Sequence, residues 1–225
     1  MIIVHHLNNS RSQRMLWLLE ELGLPYEVKR YERDAKSMLA PPELRAIHPL
    51  GKSPVIEDTQ DGERVLIAET GAIVEYLLAL KPETPLKPAP GTARGRACTY
   101  WLHYAEGSAM TPLLLKLVFG QLPKRAPGLI KPIINAFAAK AQASFIDPQI
   151  AAHTAYWEAE LTKAPWFAGE AFSAADIMMS FPLEAASSRA PFGPDKPHLT
   201  AFLKTIHARP AYQRALERGG PDAYA

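Results

Sequence analysis

The chain has 225 residues, 48% of them hydrophobic, and its 25 basic and 23 acidic side chains give a formal charge of +2. That apolar content can offset the entropy of ordering, so a largely disordered chain is excluded. The near balance of charge disfavours a nucleic-acid binder, which gathers Lys and Arg on one face, and the single cysteine, Cys98, rules out an intrachain disulfide or a Cys-rich zinc site.

Met1 to His6 reads as a first strand, not as the basic-then-apolar leader of a secreted protein. No run of about 18 apolar residues is present to span a bilayer. A cytoplasmic protein without membrane contact is expected. Met15, Leu16, Leu18, Leu19 and Leu22 recur at helical spacing, and Gly23 with Pro25 marks where that helix stops. Tyr26, Val28 and Tyr31 alternate with charged residues as a second strand. A helix carries the crossover, so the first two strands run parallel.

Pro41-Pro42-Glu43-Leu44 can start a short helix. Pro54 to Asp58 and Val65 to Ile67 read as two short strands around the turn Asp61-Gly62. Glu69 to Leu80 is helical again, with Thr70 a good N-cap. This order is that of a small α/β unit of the thioredoxin kind, over residues 1–81. Residues 82–91, with Pro82, Pro85, Pro88 and Pro90, mark a stiff linker.

Residues 92–225 show no convincing strand, so an all-helical domain is expected to follow. A long helix covers 92 to about 119, with a kink suggested by Gly107 and Pro112. The Pro- and Gly-interrupted stretch from Gly120 to Pro132 should break it. Helix resumes from Ile133 to about Thr162, broken or bent at Pro148. Shorter helices fall near 174–188, 196–208 and 210–218. Ser173-Ala174-Ala175-Asp176 is a capping box in which Asp replaces the usual Glu, with Phe172 and Ile177 as its staple. Asp176 is therefore structural rather than catalytic.

Four segments carry chemical information: Asn8-Asn9-Ser10-Arg11-Ser12-Gln13-Arg14, His48-Pro49-Leu50-Gly51-Lys52-Ser53-Pro54-Val55, Ala68-Glu69-Thr70-Gly71-Ala72-Ile73, and Phe172 to Ile177. In this order and spacing the chain resembles the cytosolic glutathione S-transferases over nearly its whole length, and among them the serine-type, fungal- and bacterial-like members. The resemblance implies a thioredoxin-like domain that binds glutathione, an all-α domain that walls the electrophile, and a homodimer. No His-x-x-x-His or Cys-x-x-Cys pattern is present, so no metal is expected.

A hydroxyl between a strand and a helix faces the free N–H groups of the first turn. From the residues alone, Ser10 or Ser12 is simply the helix N-cap. In the serine-type members the hydroxyl facing the thiol lies four residues before a helical Arg, as Ser10 lies before Arg14. The resemblance thus makes Ser10 the catalytic hydroxyl, with the amides of Asn8 and Asn9 as the fallback. It gives Ser53 a main-chain role beside a cis Pro54, holding the cysteinyl part of glutathione. It sets Lys52 against the glycyl carboxylate, and Glu69 with Thr70 against the γ-glutamyl group. Without the resemblance, Lys52 is a solvated loop lysine, and Glu69 and Thr70 serve helix stability alone. The long helix would line the electrophile pocket with some of Tyr104, Glu106, Met110 and Leu114, and Asn9 would border it.

His5 and His6 point to opposite faces of a strand and cannot chelate one metal. Cys98 lies in the long helix as inert packing. Two other functions fit the same resemblance: a binding module without catalysis, and a glutathione-dependent peroxidase or isomerase. Glutathione affinity and a substrate panel separate them.

Overall fold

A computed structural model describes residues 1–225 apart from Ala35, Lys36, Met38, Asp61 and Ala225, and the main chain alone of Gln60. Strands β1 (Ile2–Leu7) and β2 (Tyr26–Tyr31) pair in parallel, with Val4 opposite Val28, and α1 (Gln13–Leu22) carries the crossover. After α2 (Glu43–Ile47), β3 (Val55–Gln60) and β4 (Glu63–Ala68) add antiparallel neighbours. Among the described residues the sheet order is β2-β1-β3-β4. The predicted hairpin is present; Gly62 has φ +84°, and Asp61 lies outside the described residues. α3 (Thr70–Ala79) closes this half.

Alternation along β1 decides which side each layer covers. Ile2 and Val4 face Met15, Leu16, Leu19, Ile73, Val74 and Leu77 of α1 and α3. Leu7 faces the other way, packing with Tyr31 and Leu44 under α2. His5 follows Leu7, bonding the Tyr31 hydroxyl and Glu57 at 2.8 Å each, whereas His6 follows Val4.

The second half is helical: α4 (Ala93–Tyr104), α5 (Met110–Arg125), α6 (Lys131–Ala141), α7 (Asp147–Lys163), α8 (Ala174–Arg189), α9 (Pro197–His207) and α10 (Pro210–Gly219). The expected kink near Gly107 is a π-helical turn at Ala105–Ala109. The expected break at Gly120 does not occur. α5 runs through Gly120 and Pro123 to Arg125, because Pro123 lies in the last turn and costs one terminal hydrogen bond at most. Nor does Pro148 break a helix. A second π-helical turn, Gln142–Ile146, precedes it, and Pro148 sits in the first turn of α7, where its missing N–H has no intrahelical partner to lose.

α1 has no wet face over Gln13 to Leu19, all of which are buried. The sheet covers one side of it and α8 and α10 cover the other. Trp17 stands edge-on to Tyr212 at 5.1 Å and tilted on Phe172 at 5.6 Å. Arg209 grips Glu21 with two bonds of 2.6 and 2.9 Å, and Arg214 meets Glu20 at 2.7 Å.

The most consequential joint is Arg14, whose side chain is 2% exposed. α8 contains Pro182, which has no N–H to give the carbonyl four residues earlier, that of Met178. Arg14 Nη1 donates to that carbonyl at 2.7 Å. Its other nitrogen pairs with Glu106 in the first π-helical turn. One guanidinium thus repairs a proline defect in α8 and ties the two halves together.

At the start of α8, the buried Asp176 accepts the N–H of Ser173 and of Phe167 at 2.8 Å each, and the Ser173 hydroxyl at 3.1 Å. Cys98 is buried, and burial pushes its thiol up.

Candidate functional site

Strand register gathers the site. β1 ends at Leu7, β3 begins at Val55 and β4 ends at Ala68, and the pairs His5↔Val55 and Val55↔Ala68 set these ends side by side. Residues Asn8–Ser12 after β1, Lys52–Pro54 before β3, and Glu69–Thr70 after β4 therefore share one edge of the sheet. Adjacent strands lie about 4.8 Å apart, so the row from first to third measures about 10 Å, the reach of three extended residues. The N-termini of α1 and α3 open on the same edge, each with free N–H groups and the positive end of a helix dipole.

Ser10 is buried, and its hydroxyl belongs to a chain of bonds. Ser10 Oγ lies 2.8 Å from Ser12 Oγ, which lies 2.9 Å from His6 Nδ1. Ser12 holds the N-cap position of α1 but makes no side-chain cap bond; its oxygen instead accepts the Leu7 N–H at 3.2 Å. The plain N-cap role therefore falls to neither serine. Burial, with the nearby charge of Arg30, lowers the His6 pKa to about 4, so the ring is neutral near pH 7. The Nε2 side of the ring faces the Gly219 backbone at the end of α10. With the ring proton on Nε2, Nδ1 accepts from Ser12 and Ser12 accepts from Ser10; with it on Nδ1, Ser12 accepts from His6 and its own hydroxyl has the Leu7 carbonyl, 3.4 Å away, as acceptor. In both arrangements the Ser10 oxygen accepts the Ser12 N–H at 3.3 Å.

Among the described residues two non-glycine residues have positive φ, Asn9 at +49° and Glu69 at +71°, and both lie on this edge. Such conformations cost on the order of 1–3 kcal/mol and collect at functional sites. Glu69 occupies the N-cap position of α3, which corrects the assignment of that role to Thr70; Thr70 is the first helical residue and is buried. The Ser53–Pro54 bond is cis, and the Ser53 hydroxyl donates to the His5 carbonyl at 2.8 Å. Lys52 is exposed. Asn8 Oδ1 accepts the Arg33 N–H at 2.9 Å and Asn9 Oδ1 accepts the Ala223 N–H at 2.8 Å.

The residues expected on the helical wall are divided. Met110 is buried and Leu114 is exposed on α5. The Tyr104 hydroxyl is engaged within the helical half, bonded to His153 Nδ1 and accepting the Trp157 indole N–H at 3.0 Å. Glu106 is clamped by Arg14 and by Arg11, the latter at 2.9 Å. Burial opposes its ionisation, but the two guanidinium groups outweigh burial and hold the carboxyl below the usual range.

His6 is the member of the cluster that sequence reasoning did not place there, and Ser12 enters as the bonded partner of Ser10 rather than as the side-chain cap expected of it. A usable signal existed: His6 shares its face with Val4, toward α1, where Ser12 begins the helix. Among the described residues no group of His, Cys, Asp and Glu could hold a metal ion, and no helix is long and apolar enough to cross a membrane.

Comparison with known proteins follows this geometry. Residues 10–80 match the family model "Glutathione S-transferase, N-terminal domain", and residues 122–210 match "Glutathione S-transferase, C-terminal domain". The chain belongs to the glutathione S-transferase family. Glutathione S-transferase 1 of Saccharomyces cerevisiae is 34% identical over 96% of this chain and 94% of its own length. Glutathione S-transferase 3 of Schizosaccharomyces pombe is also 34% identical, over 97% and 88%. A crystal structure of a glutathione S-transferase from Actinobacillus pleuropneumoniae superposes with a TM-score of 0.76 at 33% identity, covering 99% of this chain and 94% of that one. This family's two-part layout, a mixed sheet followed by helices, is the one described above.

Proposed function

We propose that this member of the family is a serine-type glutathione transferase, joining the thiolate of glutathione to a small hydrophobic electrophile. The observation that carries the reading is the shared sheet edge, where Ser10, Ser53 and the Glu69–Thr70 pair follow one another over the length of a tripeptide. Ser10 takes the sulfur and the main chain of Ser53 takes the cysteinyl unit. Glu69, Thr70 and the α3 N-terminus take the zwitterionic γ-glutamyl end, and Lys52 takes the glycyl carboxylate.

A free thiol with pKa about 8.5 is only about 3% ionised at pH 7. The bound sulfur needs a donor. Within the protein the nearest partner of the Ser10 hydroxyl is the neutral Ser12 hydroxyl, 2.8 Å away. A thiolate is the stronger competitor, since a hydrogen bond to an ionised partner is roughly twice as strong as a neutral one. The hydroxyl then turns outward while Ser12 stays anchored on His6. Ser10 stabilises the anion; it does not act as the base that removes the proton.

Ser10→Ala should raise the pKa of bound glutathione by about 1–2 units, the equivalent of a charge-assisted bond worth roughly 1.5–3 kcal/mol. Turnover of an aryl halide should fall while glutathione affinity stays within a few-fold. Thiolate absorbance titrated in both proteins measures this. An unmoved pKa with full turnover would exclude Ser10 and direct attention to Asn8 and Asn9. Hydroperoxide reduction assayed alongside distinguishes conjugation from peroxidase chemistry.

The proposal extends to a cytoplasmic homodimer. Light scattering should give about twice the 24.8 kDa chain mass. A single-chain mass at micromolar concentration would contradict it.

A further inference from the structure

The hairpin of α5 and α6 carries an apolar surface that the rest of the chain leaves uncovered. Leu117, Val118 and Leu122 of α5 are exposed, as are Ile133 and Phe137 of α6, and Leu129 between the two helices is 98% exposed. Phe119 meets Phe137 with ring centroids 6.3 Å apart, which joins the two rows into one surface. Of α6 only Ala138 is buried. A surface helix turns its apolar stripe to the core and its polar face to water. α6 does the reverse, since Ile133 and Phe137, four residues apart, share a side that it exposes. A contiguous apolar patch of this kind marks an interaction site.

Charge says what covers it. From Met110 to Ile146 the chain holds Lys116, Lys124, Arg125, Lys131 and Lys140 and no Asp or Glu, although the whole chain is nearly neutral. Lys116 pairs with Asp147, just beyond the segment, at 2.6 Å, and the other four are exposed. Lys124 and Arg125 end α5 and Lys131 begins α6, so cations stand on both sides of Leu129 and Ile130 at the tip. A complementary partner is apolar within and anionic at its surface. The segment has no Trp or Tyr, the residues that with Arg anchor most protein–protein interfaces. Leu, Ile and Phe flanked by Lys and Arg are the composition of elements that enter the boundary between lipid headgroups and acyl chains.

We infer that the tip of the α5–α6 hairpin docks on bilayers rich in anionic phospholipid. Leu129, Ile133 and Phe137 enter the acyl boundary, and Lys124, Arg125 and Lys131 meet the headgroups. The expectation of no membrane contact rested on the lack of a spanning run, which a hairpin lying on the surface does not need. The surface shares no residue with the sheet edge around Ser10, so this inference stands apart from the transferase reading.

Flotation of the whole chain with phosphatidylcholine vesicles, with and without about one third phosphatidylserine, tests it. The protein should float with the anionic vesicles and stay behind with the neutral ones. Salt at about 1 M should weaken the binding, because the Debye length then falls to about 3 Å. Lys124→Gln, Arg125→Gln and Lys131→Gln together should lower affinity for the anionic vesicles about a hundredfold, at roughly fivefold for each cation near the surface. Leu129→Ser, Ile133→Ser and Phe137→Ser together should lower it at least about tenfold with every charge in place. These six side chains are exposed, so the urea midpoint and the mass in light scattering should stay as in the wild type. A wild type that does not float with anionic vesicles would overturn the proposal. So would an apolar triple variant that floats as well as the wild type, since a surface held by charge alone would bind polyglutamate equally. A mass halved by the apolar substitutions would assign the tip to a contact between two copies and would overturn it too.

Discussion

Arg14→Met is expected to destabilise the protein by about 3–5 kcal/mol, the cost typical of removing one partner of a buried charge pair. Two groups lose their donor at once. Glu106 keeps only Arg11, and the Met178 carbonyl is left in the interior with no N–H at position 182 to accept. The dependence on Pro182 makes the account specific. Pro182→Ala restores a helical N–H four residues beyond Met178, so the cost of losing Arg14 should shrink by about 1 kcal/mol in that background, the net worth of one hydrogen bond. Urea denaturation of the wild type, both single variants and the double variant gives the coupling directly. Additive effects within about 0.3–0.5 kcal/mol would show that the proline and the arginine are independent.

Asp176→Ala should cost about 2–4 kcal/mol at pH 7, because it removes the acceptor from two buried backbone N–H groups, each worth roughly 1–3 kcal/mol when left unsatisfied. The pH dependence carries a definite sign. Burial pushes the Asp176 carboxyl up to about 6, against the bonds from Phe167 and Ser173 that favour ionisation. A folded-state value above the unfolded one, about 3.9, means that the native protein holds this proton more tightly. The group's contribution is therefore full below about pH 4 and declines as pH rises through 6. The stability gap between wild type and variant should be wider at pH 5 than at pH 8, with glutathione affinity of the folded protein nearly unchanged. A gap that narrows on acidification would show that the ionised carboxylate is the favoured form.

Much of this was legible in the sequence for physical reasons. The spacing of Met15, Leu16, Leu19 and Leu22 reports a helix against a sheet, and Gly23, with φ +63°, closes it in the left-handed conformation that glycine adopts freely. Ser173 and Asp176 announced their cap because capping is local. What failed was also local in form but tertiary in cause. Gly120 and Pro123 carry breaking signals that α5 overrides by ending two residues after the proline. Both π-helical turns arise in segments whose composition does not distinguish them from α-helix. Glu69 is an unusual residue to find at positive φ, and no periodicity points to it. His6 entered the Ser10 cluster only through the strand face it shares with Val4 and the arrival of α10 from the far end of the chain.

The double attachment of Arg14 has a mechanical consequence. α1, α8 and the turn that opens α5 are fastened at one buried point, so the sheet half and the helical half are held there as a single solid body. Rotating them apart would pull a guanidinium out of both its partners together. The Pro221–Tyr224 segment, by contrast, meets the Ser10 loop through the Ala223 N–H on the Asn9 side-chain oxygen and α8 through the Tyr224 side chain, whose ring lies against Phe181. The buried joint that fastens the two halves and the terminal segment that borders the Ser10 loop are thus separate, and the second can be altered without loosening the first.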